Sequence, residues 1–192
     1  MTRLTRVLPA SFARRSSTMT TPEHASRTTL LNRLSDLGID SVIVDYPEHT
    51  TIEDGKRLRG DLPGTFTKNL VLKDKKGRMF FVTAYEDTDI DLKTLHTRIG
   101  AQGRLGFVSP EVMAERLKVK PGAATPLALL NDSDNAITLI VDAALDGAEQ
   151  LNFHPMTHTE SIGLSWEQFL LFLHSCDHAP TVVELGHRAP TT

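Results

Sequence analysis

The segment that most constrains the fold is a hairpin pattern in the first half of the chain. Lys68-Asn-Leu-Val-Leu-Lys73 and Arg78-Met-Phe-Phe-Val-Thr83 are joined by the turn Asp74-Lys-Lys-Gly77. Apolar, partly β-branched runs of this length around a glycine-containing turn predict two adjacent antiparallel strands. An isolated pair is only marginally stable in water, so the rest of the chain must add strands and a covering layer. At 192 residues, 40% of them hydrophobic, the chain is long enough for one domain with a sizeable core.

The remaining signals supply both. Leu30, Leu31, Leu34 and Leu37 form one helical stripe, stopped by Gly38. Residues 41–45 predict a strand that ends at Tyr46-Pro47. Thr50-Thr51 offers a helix N-cap, with Glu53 and Asp54 in the first turn. Residues 91–99 look helical, and Ser109-Pro110-Glu111 starts a helix running to about Leu117. Residues 127–130 and 137–141 around a polar turn predict a second hairpin. Residues 152–154 and 160–163 are short extended pieces, Ser165 caps an aromatic-rich helix, and residues 181–185 predict a last strand. Hairpins mixed with helices predict an α/β (mixed α+β) domain with a mixed sheet.

Residues 1–18 carry Arg3, Arg6, Arg14 and Arg15 and no acid; without them the net charge of −3 becomes −7. Their Arg/Ser/Thr-rich composition suits an organelle transit peptide, or an over-long start with Met19 as initiator. We therefore expect residues 1–24 to be a flexible tail and residues 25–188 to form the domain, in the cytoplasm or, with a transit peptide, in an organelle matrix.

Several chemistries lack their signatures. No run approaches the ~20 apolar residues of a membrane helix. Cys176 is the single cysteine, which excludes an internal disulfide and a Cys-rich zinc site. His154 and His158 are four apart, but Pro155 between them works against helical convergence, so we expect no metal. There is no GxxxxGK[ST], no strand-linked GxGxxG and no GxSxG. No cofactor is expected. The acidic balance excludes a globally basic coat, although not a local basic patch.

Three features remain. Lys68-Asn69 opens a strand after a flexible loop. Gly122-Ala123-Ala124-Thr125-Pro126 presents a nearly bare backbone that a ligand can approach and whose N–H groups can face an anion or carbonyl. Asn152-Phe-His-Pro155 sets His154 beside a rigid proline. Taken singly, each also suits a structural role.

Together with Leu105-Gly-Phe-Val-Ser109 and Val141-Asp-Ala-Ala-Leu145, these segments resemble, in order, the editing-domain superfamily of bacterial prolyl-tRNA synthetase. The likeness spans about residues 26–186 and is strongest to the free-standing alanine-specific deacylases of the ProXp-ala or PrdX type. It implies a YbaK-like single domain with a mixed, curved sheet flanked by helices. It implies hydrolysis of the ester of mischarged Ala-tRNA(Pro), with tRNA as partner, prolyl-tRNA synthetase as a further candidate partner, and no membrane. By the same resemblance Lys68 and His154 are the catalytic residues, and Asn69, Gly122, Ala123, Ala124, Thr125, Pro126 and Asp142 bind substrate. His158 stands where the family pattern leads one to expect asparagine. Lys56, Arg57, Arg59, Lys73, Lys75, Lys76 and Arg78 are candidates for contacting RNA phosphates. Two alternatives stay open: the same fold acting on tRNA mischarged with cysteine, serine or threonine, and a non-catalytic tRNA-binding or regulatory protein.

Overall fold

The computed structural model describes residues 3–6, 22–47 and 52–186. The elements in order are β1 (Arg3–Arg6), α1 (Pro22–Asp36), β2 (Val42–Asp45), α2 (Ile52–Arg59), β3 (Thr65–Lys73), β4 (Met79–Tyr85), α3 (Leu95–Arg98), β5 (Gly106–Phe107) and α4 (Pro110–Arg116). A 3-10 turn (Pro126–Asn131), β6 (Ile137–Asp142), a second 3-10 turn (Ala143–Leu145), β7 (Leu151–Phe153), β8 (Glu160–Leu164), α5 (Trp166–His174) and β9 (Thr181–Val183) follow.

The strands form one mixed sheet in the order β1-β2-β8-β7-β3-β4-β6-β9, with β5 also on β3. The hairpin read from the sequence is its centre: β3 and β4 pair antiparallel from Thr67↔Tyr85 to Lys73↔Met79. β6 then runs parallel to β4, and β9 parallel to β6. On the other side β7 runs parallel to β3, and β8 and β2 continue antiparallel. The expected mixed α/β architecture is the one observed.

Successive side chains of a strand point to opposite faces, which gives the sheet two cores. The main core gathers Leu30 and Leu34 of α1, Val71, Phe81 and Phe153 of the sheet, and Phe169, Phe172 and Leu173 of α5. Phe153 and Phe169 pack with ring centroids 4.9 Å apart. The opposite face holds a smaller cluster of Leu72, Phe80, Val82, Ile140, Leu95 and Leu185. Helix α5 starts where expected, because Ser165 accepts from the Gln168 N–H while the Gln168 side chain accepts from the Ser165 N–H.

Three expectations are corrected. Residues 127–130 are a 3-10 turn rather than a strand, since Pro126 sits at its first position and the Thr125 hydroxyl accepts from the Leu127 N–H. Helix α3 spans four residues of the predicted 91–99. Upstream of it, the Asp91 carboxylate accepts from the Lys93 N–H and the Thr94 hydroxyl, and this local turn replaces helix. Within the expected tail, Arg3–Arg6 pair antiparallel with Val42–Asp45, and α1 begins at Pro22. Residues 7–21 of that tail, including Met19, and the Thr50-Thr51 cap lie outside the described residues.

Candidate active site

One edge of β3 has two different neighbours. β7 pairs with Thr65 and Phe66, while β5 pairs with Leu72 and Lys73. Among the described residues, Thr67–Leu70 have no strand partner on this edge. The β3–β7 pairing stops at Phe66↔Asn152, two residues before Lys68 on one segment and two before His154 on the other.

Lys68 is half-buried. Its ammonium donates to the Thr88 carbonyl oxygen, and the Thr88 hydroxyl donates to Asp142 Oδ2 at 2.7 Å. Burial pulls the Lys68 pKa below that of an ordinary lysine, against the opposing pull of the Asp89, Asp87 and Asp142 carboxylates. An ammonium at this place can also donate to a phosphate or an oxyanion.

His154 is fixed from one side. Its Nδ1 lies 3.0 Å from the Glu160 carbonyl oxygen, and the Tyr46 hydroxyl donates to the same oxygen at 2.9 Å. The Glu160 side chain is itself tied to α1, since Arg27 Nε donates to Oε2 at 2.7 Å. Burial pushes the Tyr46 phenol up to about 12. Just after His154, Met156 is buried in the main core with φ at 67°, a left-handed conformation that costs energy in a non-glycine residue. His158 is half-buried in the same loop between β7 and β8.

The other expected site residues take different places. Asn69 points to the face opposite Lys68, and its Oδ1 accepts from the Thr83 hydroxyl at 2.9 Å. Asp142 is only 2% exposed, and its second oxygen accepts from the Ala144 N–H at 3.2 Å. It therefore supports Thr88 from behind. In the glycine loop, Ala123, Thr125 and Pro126 are buried, and Ala124 packs on the main core. Gly122 sits at the exposed corner with φ at +89° and open space where a Cβ would be. Contacts thus join Lys68, Thr88 and Asp142 in one group and Tyr46, His154 and Glu160 in another.

Sequence reasoning missed Tyr46, Thr88 and Glu160. Tyr46 was legible only as the end of a strand. Thr88 and Glu160 meet the lysine and the histidine through main-chain carbonyls, which every residue has, and the Asp142 that the Thr88 hydroxyl reaches lies 54 residues away, so no local signal marks them.

The basic candidates also divide. Lys56 is bonded to Asp87, Arg57 to Asp54, and Arg59 to Glu86 through both carboxylate oxygens at 2.5 Å, while Arg59 also stacks 3.7 Å above Phe66. Arg78 is paired with the buried Asp74. Lys73, Lys75 and Lys76 are exposed at the β3–β4 end, next to Arg104 and a largely exposed Phe107. Among the described residues, no three His, Cys, Asp or Glu side chains converge as a metal set, and no helix is long and apolar enough to cross a membrane.

Residues 46–172 match the family model of the aminoacyl-tRNA editing domain. Prolyl-tRNA synthetase associated domain-containing protein 1 of Mus musculus is 39% identical over 161 residues, covering 82% of this chain and 95% of the mouse protein. The prolyl-tRNA editing protein ProX of Acetoanaerobium sticklandii is 32% identical over 139 residues, covering 72% of this chain and 84% of its own. A solved structure of a proposed trans-editing enzyme for prolyl-tRNA synthetase shares the fold, with a TM-score of 0.62 at 18% identity over 84% of this chain and 98% of that one. With residues 46–172 matched by that family model and 39% identity to the mouse protein over 82% of its length, the chain belongs to the aminoacyl-tRNA editing domain family.

Proposed function

We propose that this protein is a free-standing deacylase that hydrolyses the ester of Ala-tRNA(Pro). The observation that carries the reading is the half-buried Lys68 ammonium on the stretch of β3 whose outer edge no described strand covers. An aminoacyl ester is already activated, so its hydrolysis needs a positioned carbonyl, a water and stabilisation of the developing charge, rather than a covalent nucleophile. The ribose hydroxyl of the substrate can assist. In this reading Lys68 holds the terminal adenosine phosphate or the oxyanion, Gly122 lets the substrate approach the loop backbone, and His154 walls the aminoacyl pocket. Asn69 and Asp142 act by holding β3 and Thr88 in place.

Alanine is the amino acid that such a site best serves. A pocket built for proline cannot strongly reject a smaller side chain, because a missing methylene is worth only ~1–3 kcal/mol. A second, smaller pocket can admit alanine and exclude proline by size. The acceptor stem would dock on Lys73, Lys75, Lys76 and Arg104, with Phe107 offering a stacking surface. Lys73 lies five residues along β3 from Lys68, about 17 Å, a span that a short single-stranded 3′ end can bridge.

The test is a deacylation panel on tRNA(Pro) charged with alanine, cysteine, serine and proline. Fastest hydrolysis of the alanyl ester is expected. Equal or faster hydrolysis of another ester would reassign the specificity, and no hydrolysis of any would favour a binding role.

A further inference from the structure

We propose that the buried carboxylate of Asp74 builds an RNA-binding platform at the end of the β3–β4 hairpin, by fixing the turn that carries Lys75 and Lys76 to the segment that carries Arg104. This deepens the functional reading above and rests on it, since the ligand is the phosphate backbone of an acceptor stem. The Asp74 side chain has no exposed area, although its neighbours Lys73, Lys75 and Lys76 are exposed. RNA cannot touch such a carboxylate, so it acts by shaping the surface around it.

Its two oxygens divide the task. Oδ1 accepts from the Lys76 and Arg78 N–H groups at 2.8 and 3.0 Å, which shapes the turn. Oδ2 accepts from Arg78 Nε at 2.8 Å and from the Gln102 N–H, 28 residues away in sequence, at 3.0 Å. The Lys75 N–H donates in return to the Gln102 carbonyl at 3.3 Å, and the Arg78 guanidinium donates to the Gly100 carbonyl at 2.9 Å. Burial raises the pKa of such a carboxyl, but the bonds from Gln102, Arg78 and Lys76 outweigh it and bring it down to about 2. The anchor therefore keeps its charge throughout the neutral range.

Gly103 seats Lys75. A Cβ built there would stand 2.9 Å from Lys75 Cδ, so the stem of the lysine lies on bare backbone one residue before Arg104. Among the described residues, Lys73, Lys75, Lys76 and Arg104 make no ion pair, whereas Lys56, Arg57 and Arg59 are each neutralised by an acid. Four cations without counter-charges on segments tied together suit a polyanion. Phe107 on β5, 62% exposed, adds a flat face on which a base can stack, which favours RNA over an acidic protein. Segments already tied to each other lose less freedom when the ligand arrives.

The experiment measures binding of the full chain to an uncharged RNA hairpin, an acceptor stem with a single-stranded 3′ end, by fluorescence anisotropy over a range of salt. Asp74→Asn removes a negative charge, so electrostatics alone predicts tighter binding. The platform predicts binding weaker by about five-fold and a shallower salt dependence, because fewer phosphates are met. Gly103→Ala keeps every charge, and its Cβ displaces only the outer part of the Lys75 side chain, so binding should weaken by about three-fold. Gly147→Ala has a similar left-handed backbone with nothing near its Cβ position, and should bind as the wild type does. If Asp74→Asn does not fold, the two glycine variants decide. Tighter or unchanged binding by a folded Asp74→Asn would overturn the proposal, as would Gly103→Ala binding as tightly as Gly147→Ala. A wild-type chain that leaves the hairpin unbound, or that binds poly-glutamate as tightly, would also overturn it. The hairpin carries no amino acid, so a chain that binds it through this tip and deacylates nothing would fail the functional reading while leaving this result standing.

Discussion

The Thr88 hydroxyl donates to the Asp142 carboxylate at 2.7 Å across a chain separation of 54 residues, with both residues buried. Through this bond a carboxylate at the end of β6 holds the main-chain carbonyl that receives the Lys68 ammonium. Asp142→Ala leaves the buried Thr88 hydroxyl without its acceptor, a cost of about 1–3 kcal/mol. The denaturation midpoint should fall accordingly, with Asp142→Asn falling less, and deacylation should drop in both. Unchanged stability with only a raised KM would instead show Asp142 touching substrate.

Lys68 presents the opposite balance between stability and activity. Its folded-state pKa is depressed, chiefly by burial. Between that value and the ordinary 10.5 the unfolded chain binds more protons, so stability rises with pH across this window. At neutral pH the buried charge works against folding. Lys68→Met should therefore have a denaturation midpoint no lower than the wild type, while deacylation falls by roughly ten-fold or more. Loss of stability and activity in parallel would make Lys68 a structural residue.

The Tyr46 phenol, raised from 10.0 to about 12, gives a measurement independent of activity. The folded chain keeps a proton there that the unfolded chain has lost, so this group's contribution to stability is present below pH 10 and fades as pH rises towards 12. Phenolate absorbance of the folded protein should show a phenol that ionises only near pH 12, and Tyr46→Phe should remove that late step. Its persistence in Tyr46→Phe would place the late phenol at Tyr85.

His154 tests the size argument. His154→Ala enlarges the pocket and removes its hydrogen-bonding wall. The ratio of alanyl-tRNA(Pro) hydrolysis to that of a larger aminoacyl ester should drop. A constant ratio with a lower melting temperature would make His154 a packing residue.

Gly122 tests the loop. At φ +89° with open space around its Cβ position, Gly122→Ala meets no clash, so its cost is conformational, of order 1–3 kcal/mol. Deacylation measured well below the melting point should fall further than stability explains, since the added methyl stands where substrate would approach the backbone. Unchanged deacylation would remove the loop corner from the site.

The sequence by itself determined the parts whose information is local. Strand periodicity and the turn at Asp74–Gly77 are enough to specify β3 and β4, and Ser165 with Gln168 specifies the start of α5. The motif residues Lys68 and His154 were legible through resemblance. Tertiary structure decided what depends on residues far apart. The parallel pairing of β3 with β7 joins the start of the strand that carries Lys68 to the strand just before His154, yet nothing near either residue encodes that register. Alternation then turned the neighbours Lys68 and Asn69 to opposite faces, and burial converted Asp142 from a candidate ligand into a support. Residues 127–130 look like a strand by composition, but Pro126 and the Thr125 cap bend them into a 3-10 turn packed on α1 and α5. Tyr46 and Glu160 meet across 114 residues through a carbonyl oxygen, a group common to every residue, so only the folded chain brings that oxygen into the site.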